Sequence, residues 1–444
     1  MFVTTTHGVA KSSSTNSTES SSTKNEDQHH HLDDNDNHNH NHHDGRSAHL
    51  TLLGSFLVFY ASFGLMSSFG FFQDFYAREF LVHTPESRIA FIGTLQMALT
   101  NLMAAVSGAL CDRYGVKYLF LCSGLGTMLS LLMLSFVAPA QFWLVFLIHG
   151  VLMGLSISFG VQPALTVVAQ RFTQHRALAM GLVSTGSALG GIGFPLVFGH
   201  LLPKVGFAVA LRLAALKVAV CYAIALCISI SRPGGRFEAK NSACLIDFRG
   251  FLDPRYAVLC VGTWFAILGL WLPAYYIKTY ADNVYPGNNI SKYFLCIING
   301  CSIVGAVLTG LLADRLGHLT LLWPATLISS LLTLFLWLLS RNLTTLALFA
   351  CTYGLAASSV TTLPPAIISQ ITPSGQLGAR TGAFYSVIAV SSLIGTPIGG
   401  ALVRDAGSRE GYRFLILFSG SALLVGAVFM LGARWLHGKD QSAK

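Results

Sequence analysis

Polar and apolar residues along this chain fall in long blocks rather than in the short alternations of a soluble domain. Apolar stretches lie near 49–73, 89–110, 117–138, 142–166, 178–201 and 209–230. A polar stretch over 231–253 follows, carrying Arg232, Arg236, Lys240 and Arg249, and then six more apolar stretches near 255–278, 293–312, 319–340, 344–368, 380–402 and 412–434. Each approaches the roughly 20 residues an α-helix needs to cross a hydrocarbon layer about 30 Å thick. Lipid offers no partner to backbone N–H and C=O groups, so the stretches must be helical. The pattern predicts an all-α membrane protein of twelve transmembrane helices in two six-helix bundles, 48–230 and 254–435. A basic linker, 231–253, joins them.

Composition agrees with the pattern. Hydrophobic residues make up 53% and charged residues 11% of the 444 positions, against about 25% charged in an average soluble domain. The net charge of +9 lies mostly between apolar stretches, which marks it as a topology signal rather than a nucleic-acid surface. The nine cysteines show no CxxC spacing, so neither a disulfide framework nor a zinc site is indicated. Residues 1–47 are rich in Ser, Asn, Asp and His, including His29, His30, His31, His38, His40, His42 and His43. Such a segment cannot bury enough apolar surface to fold alone and reads as a solvated tail, with weak metal binding the lesser reading. It has no apolar core of the kind a signal peptide needs. No Walker A loop, HExxH or G-x-S-x-G elbow occurs, so no enzyme, cofactor or ATP-driven pump is expected, and any pumping must draw on a gradient.

An internal repeat organises the chain. Gly108, Asp112, Arg113 and Gly115 recur as Gly310, Asp314, Arg315 and Gly317, at an offset of 202 that also takes Pro163 to Pro365 and Pro195 to Pro397. Parallel repeats of this kind place a solute site between the halves near the membrane midplane. Lys and Arg are more numerous on the side holding the linker and both termini (the C-terminal one spanning 436–444), which places that side in the cytoplasm. The sequons at Asn289 and Asn342 fall in loops of the opposite side, as glycosylation sites would.

The run Gly108-Ala-Leu-Cys-Asp112-Arg113-Tyr-Gly115-Val-Lys117 is similar to the G-x-x-x-D-R-x-G-x-K/R signature of the major facilitator superfamily; in the second copy His318 stands where the first has Val116. Gly108 lets a neighbouring helix approach closely, and Gly115 permits the tight turn. Asp112 can face the positive N-terminus of a helix in the same half-interface. Asp112, Arg113, Asp314 and Arg315 are thus a charged gating latch that must break when the halves rock. Three further stretches resemble the fungal monocarboxylate-porter-like family: Ser67-Ser-Phe-Gly-Phe-Phe-Gln73, Arg176-Ala-Leu-Ala-Met-Gly181 through Pro195, and Gly395-Thr-Pro-Ile-Gly-Gly400. The resemblance implies the major facilitator fold, alternating access and transport of small organic solutes, often with protons. In the animal lactate carriers a lysine on helix 1 and an Asp–Arg pair on helix 8 serve the carboxylate and the proton. Their counterparts here are Ser67, Ser302 and Ala306, which turns the expectation toward larger or neutral solutes.

In that superfamily helices 1, 4, 7 and 10 line the path. The residues so implied are Ser67, Ser68, Gln73, Ser156, Ser158, Gln162, Trp264, Trp271, Tyr275, Tyr353, Ser358 and Ser359. Trp and Tyr offer flat faces and one donor each, although Ser and Tyr in membrane helices also serve packing and anchoring. His149 and Lys217 are the intramembrane ionisable groups that could couple transport to protons or hold an anion, against packing and snorkelling roles. The expected function is a secondary carrier of an organic acid, vitamin or secondary metabolite in the plasma or vacuolar membrane. Export of a metabolite is the alternative, and a non-transporting sensor the second alternative.

Overall fold

The computed structural model describes residues 48–172, 175–231, 248–287, 290–372, 377–405 and 407–442. The polar tail 1–47, most of the linker and Asn289 lie outside the described residues. Among the described residues, eleven helices are long and apolar enough to cross a membrane. One of them, Arg176–Ser231, is two helices in sequence, broken where Gly206 adopts φ +79° and ψ 169°. Only glycine enters that conformation without strain.

Twelve membrane helices result among the described residues: α1 Ala48–Phe80, α2 Ser87–Tyr114, α3 Val116–Leu134, α4 Phe142–Arg171, α5 and α6 on either side of Gly206, α7 Pro254–Val284, α8 Ser291–Leu316, α9 His318–Trp337, α10 Leu343–Ile371, α11 Leu377–Ala401 and α12 Glu410–Gly438. Each expected apolar stretch falls on one of these helices, several of which run five to seven residues further, as α1 does to Phe80 against 73 and α7 to Val284 against 278.

The periphery is legible in exposed leucine rows. Leu121, Leu125, Leu129 and Met133 on α3, Leu213, Leu216, Val220 and Ile224 on α6, and Ile328, Leu331 and Phe335 on α9 are all exposed, as is the row Leu424, Val425, Val428 and Leu431 on α12. Such i, i+4 rows face lipid. The interior is tied by hydrogen bonds between helices: Tyr222 on α6 reaches Ser123 on α3 (2.7 Å) and Ser62 on α1, and the Tyr353 hydroxyl on α10 donates to the Leu270 carbonyl on α7 (2.7 Å).

Helix contacts between the halves run through small residues, since lipid gives no hydrophobic drive for helices to associate. Gly108 on α2 meets Gly378 on α11, and Gly181 on α5 meets Ala306 on α8, each so closely that an added Cβ would lie 2.2 and 2.5 Å from a backbone oxygen. These contacts pair α2 with α11 and α5 with α8 across the central axis.

Candidate transport cavity and its closures

At the centre, α1, α2, α4, α5, α7, α10 and α11 surround a cavity of about 100 Å³. Aromatic walls come from Phe59, Phe63, Trp271, Phe384 and Tyr385, and polar groups from Thr100, Asn101, Ser158, Gln162, Ser184, Ser187, Thr263, Thr361 and Ser392. No Asp, Glu, Lys, Arg or His is among the described lining residues. Asn101 Nδ2 donates to Ser392 Oγ at 3.0 Å, joining α2 to α11. The Gln162 amide nitrogen and the Ser158 hydroxyl are buried and have no partner among the described residues. A buried donor without a partner costs about 1–3 kcal/mol, so these two atoms are available to a solute.

Of the residues expected along the path, the structure brings Ser158, Gln162 and Trp271 to this cavity. Gln73 and Tyr275 lie instead in a separate vestibule of about 690 Å³ together with Asp74, Arg78, Lys278 and Asp282. The remaining serines and aromatics are used in packing. Ser68 donates to the Gly64 carbonyl (2.7 Å), Ser156 to Leu152 (2.7 Å) and Ser358 to Leu355 (2.9 Å), while Trp264 packs edge-on against Phe265. Ser67 is half-buried, outside the residues lining either space. Ser302 bonds to the Ile298 and Gly354 carbonyls at 2.8 and 3.1 Å, a contact between α8 and α10. The lining from α2, α5 and α11 was not anticipated. An amide such as Asn101 inside an otherwise apolar helix was the available signal, because a polar group in lipid needs an interior partner.

His149 sits in a one-turn π-helical widening of α4 and is 1% exposed. Its Nδ1 is 2.9 Å from the Tyr76 hydroxyl, and the rings of Phe69, Phe72 and Tyr76 surround it at 5.0–5.9 Å. It does not line the cavity, and its Nε2 is buried without a partner among the described residues. The Lys217 ammonium lies over the Tyr60 and Phe194 rings at 4.7 and 4.2 Å, so the π faces meet a cation that has no ion pair among the described residues.

Two closures bound the cavity. On the face carrying the α2–α3 and α8–α9 turns, called here the latch face, the Asp314 carboxylate accepts from the N–H groups of Ala177 and Leu178 (2.9 and 3.0 Å) at the start of α5. Asp112 accepts from Ala379 N–H (3.2 Å) near the start of α11. Ala379 and Ala177 are themselves 202 apart, so the two contacts are one device used twice, carboxylate against helix N-terminus. Each aspartate therefore reaches into the opposite half, whereas the motif suggested a helix of its own half-interface. The arginines stay outside: Arg113 is exposed over the Tyr114 ring at 5.3 Å, and Arg315 is exposed.

On the opposite face α1 and α7 close together. Along α7 the lining passes from Thr263, Ile267 and Trp271 in the cavity to Tyr275, Lys278 and Asp282 in the vestibule. Between the two spaces stand the ring contacts Phe63–Trp271 (6.2 Å) and Phe69–Tyr275 (6.3 Å). Beyond them Lys278 pairs with Asp74 at 2.7 Å and Arg78 with Asp282 at 3.5 Å. Asn342 begins α10, where its side chain accepts from Thr345 N–H at 2.8 Å.

A central cavity between two six-helix halves, closed by a repeated Asp latch, is the arrangement of one superfamily, and the profile of the Major Facilitator Superfamily matches residues 51–295 and 291–444. The chain belongs to that superfamily. Proteins similar to it include the agnestins efflux protein AgnL12 of Paecilomyces divaricatus, 33% identical with 87% of each chain covered. The MFS-type transporter pynF of Aspergillus niger is also 33% identical, with 88% of each covered. Among solved structures, the crystal structure of the human organic anion transporter MFSD10 matches with a TM-score of 0.67, covering 87% of this chain and 99% of that one at 17% identity. That last likeness is one of fold. As a superfamily member the chain is a multi-pass membrane transporter of small organic solutes.

Proposed function

We propose that this transporter exports an uncharged or weakly charged amphipathic metabolite with at least one flat ring. One observation carries the reading: the central cavity combines aromatic walls and neutral hydrogen-bonding groups with no ionisable side chain among its described lining residues. A simple monocarboxylate would leave its charge without a cation there, at a cost lipid-depth sites do not tolerate. The Phe63 and Trp271 rings would hold the solute's faces, and the amides of Gln162 and Asn101 would read its polar edge. The naming of AgnL12 as an efflux protein supports the direction. In this orientation the latch face is cytoplasmic. The chain carries no nucleotide-binding motif, so a proton gradient drives transport in this reading, and His149 is the residue it assigns to the proton.

The test is accumulation in a yeast host. Cells expressing the wild type should hold several-fold less of a neutral aromatic test compound than control cells. An ionophore that collapses the proton gradient should remove the difference, as should Gln162→Ala or Trp271→Ala. Gradient-driven uptake of labelled lactate by the same cells would overturn the reading.

A further inference from the structure

A second space lies on the latch face, remote from the transport cavity. It measures about 730 Å³ and is lined among others by His175, Arg176, His318, Thr320, Arg434 and His437. Two arginines and three histidines there face a single described acid, Asp314. That acid is already engaged with Ala177 N–H, Leu178 N–H and His318 Nε2, the last at 3.2 Å. Arg434 is exposed and forms no ion pair with a described residue. His318 is 5% exposed, and its Nδ1 is buried with no partner among the described residues.

The backbone adds to this. Helix α9 starts at His318 after Gly317, which supplies no side-chain cap. The N–H groups of His318, Leu319 and Thr320 therefore have no intrahelical acceptor and present the positive end of the helix dipole to the space. Uncapped N–H groups and two guanidinium groups form a donor set of the kind that binds phosphate, with Arg176 held in place by Nε on the Phe172 carbonyl and Nη1 on Ser369 Oγ. With Nε2–H given to Asp314, the unpartnered Nδ1 can accept from a P–OH group.

The repeat supplies an internal control. At the matching position of the first half, α3 starts at Val116 in place of His318. The space beside it is only about 50 Å³ and is lined by Val116, Phe120, Gln170 and Arg171. Among the described residues of the first half, neither the imidazole nor a space of that size accompanies the motif. The rim of the donor pocket reaches the lipid-facing surface, where Leu316 is 58% and Trp435 61% exposed, a setting that suits an interfacial headgroup.

We infer that the space between the α8–α9 turn, the start of α5 and the end of α12 is a binding site for a terminal phosphate group, carried by an anionic phospholipid or free in solution. Its occupant would bridge α5 to α8, α9 and α12, and so hold the latch face shut.

The test uses the purified full-length protein in detergent. Thermal unfolding is followed while phosphatidic acid or inorganic phosphate is titrated in, with phosphatidylcholine as the blank. A saturable rise with phosphatidic acid alone would assign the site to lipid, and a rise with inorganic phosphate as well would assign it to the free anion. In either case His318→Val, which copies the first half, and Arg434→Gln, at an exposed position, should each weaken the apparent affinity about tenfold, the worth of one charged hydrogen bond. No rise with either phosphate, or a rise that either variant retains in full, would overturn the inference.

Discussion

Asp112 and Asp314 are the residues on which the latch face turns. A carboxylate accepting from backbone N–H groups at a helix start combines a charged hydrogen bond, about 1.5–3 kcal/mol, with a dipole term of about 0.3–1 kcal/mol. Asparagine keeps an acceptor oxygen but loses the charge. Asp314→Asn should therefore shift the equilibrium toward the latch-open form by about tenfold, more than Asp112→Asn, because the N–H groups on Asp314 lie at 2.9 and 3.0 Å whereas Ala379 N–H and the Gln170 amide reach Asp112 at 3.2 and 3.5 Å. Spin-label distances between the ends of α5 and α8, against those between α2 and α11, would measure both; equal effects would refute the ranking. His149 tests the opposite kind of site. Its Nδ1 meets Tyr76 inside a box of rings, so His149→Phe should leave the fold intact and lower only transport that depends on a proton gradient. Unchanged gradient dependence in flux measurements would remove it from coupling.

At the scale of the helix, close approach sets what can move. An added Cβ at Gly108 would lie 2.2 Å from the Gly378 carbonyl oxygen on α11, and backbone on both sides cannot yield as a side chain would. Gly108→Ala should hold α2 away from α11 and favour the latch-open form, with loss of transport in flux assays at normal surface expression. Gly115, three residues past Asp112, makes the contrast: nothing lies near its added Cβ, but its φ is +76°. Gly115→Ala should cost about 1–3 kcal/mol of backbone strain at φ +76° and ψ −178° and lower thermal stability without the same bias in latch distances. The helices themselves were legible because lipid forces every spanning stretch into one regular form. The α5–α6 break was legible less directly, since a glycine at φ +79° reads in sequence like any other loop glycine. The cavity was read only in part. Gln162 and Trp271 lie on central helices that a path must use, but serines on those same helices satisfy themselves by bonding back to the preceding turn. Asn101, Ser184 and Tyr385 line the space from α2, α5 and α11, and which flank of those helices turns inward is fixed by contacts across the two halves that periodicity alone does not report.

For the whole molecule, the two closures differ in kind, and the difference predicts how the carrier responds to salt. The latch face is held by carboxylates on backbone N–H groups and by close backbone contacts at glycines. The opposite face is held by Asp74–Lys278 and Arg78–Asp282, whose side chains are between 28% and 63% exposed. Exposed pairs are worth about 0–1 kcal/mol and weaken as ions screen them, with a screening length falling from about 30 Å at 0.01 M to about 3 Å at 1 M. Buried contacts are screened far less. Raising the ionic strength should therefore open the α1–α7 face while the latch stays shut, and Lys278→Gln should reproduce that shift at low salt with little loss of thermal stability. The populations can be read from paired spin labels, one pair across α1–α7 and one across α2–α11, over a salt titration. If both distances lengthen together, the two faces share one closing energy and the asymmetry has no consequence. If only the α1–α7 pair lengthens, the resting carrier keeps its latch face shut because that is the face closed by contacts that ions screen less, and the aromatic contacts Phe63–Trp271 and Phe69–Tyr275 become the last barrier a departing solute must part.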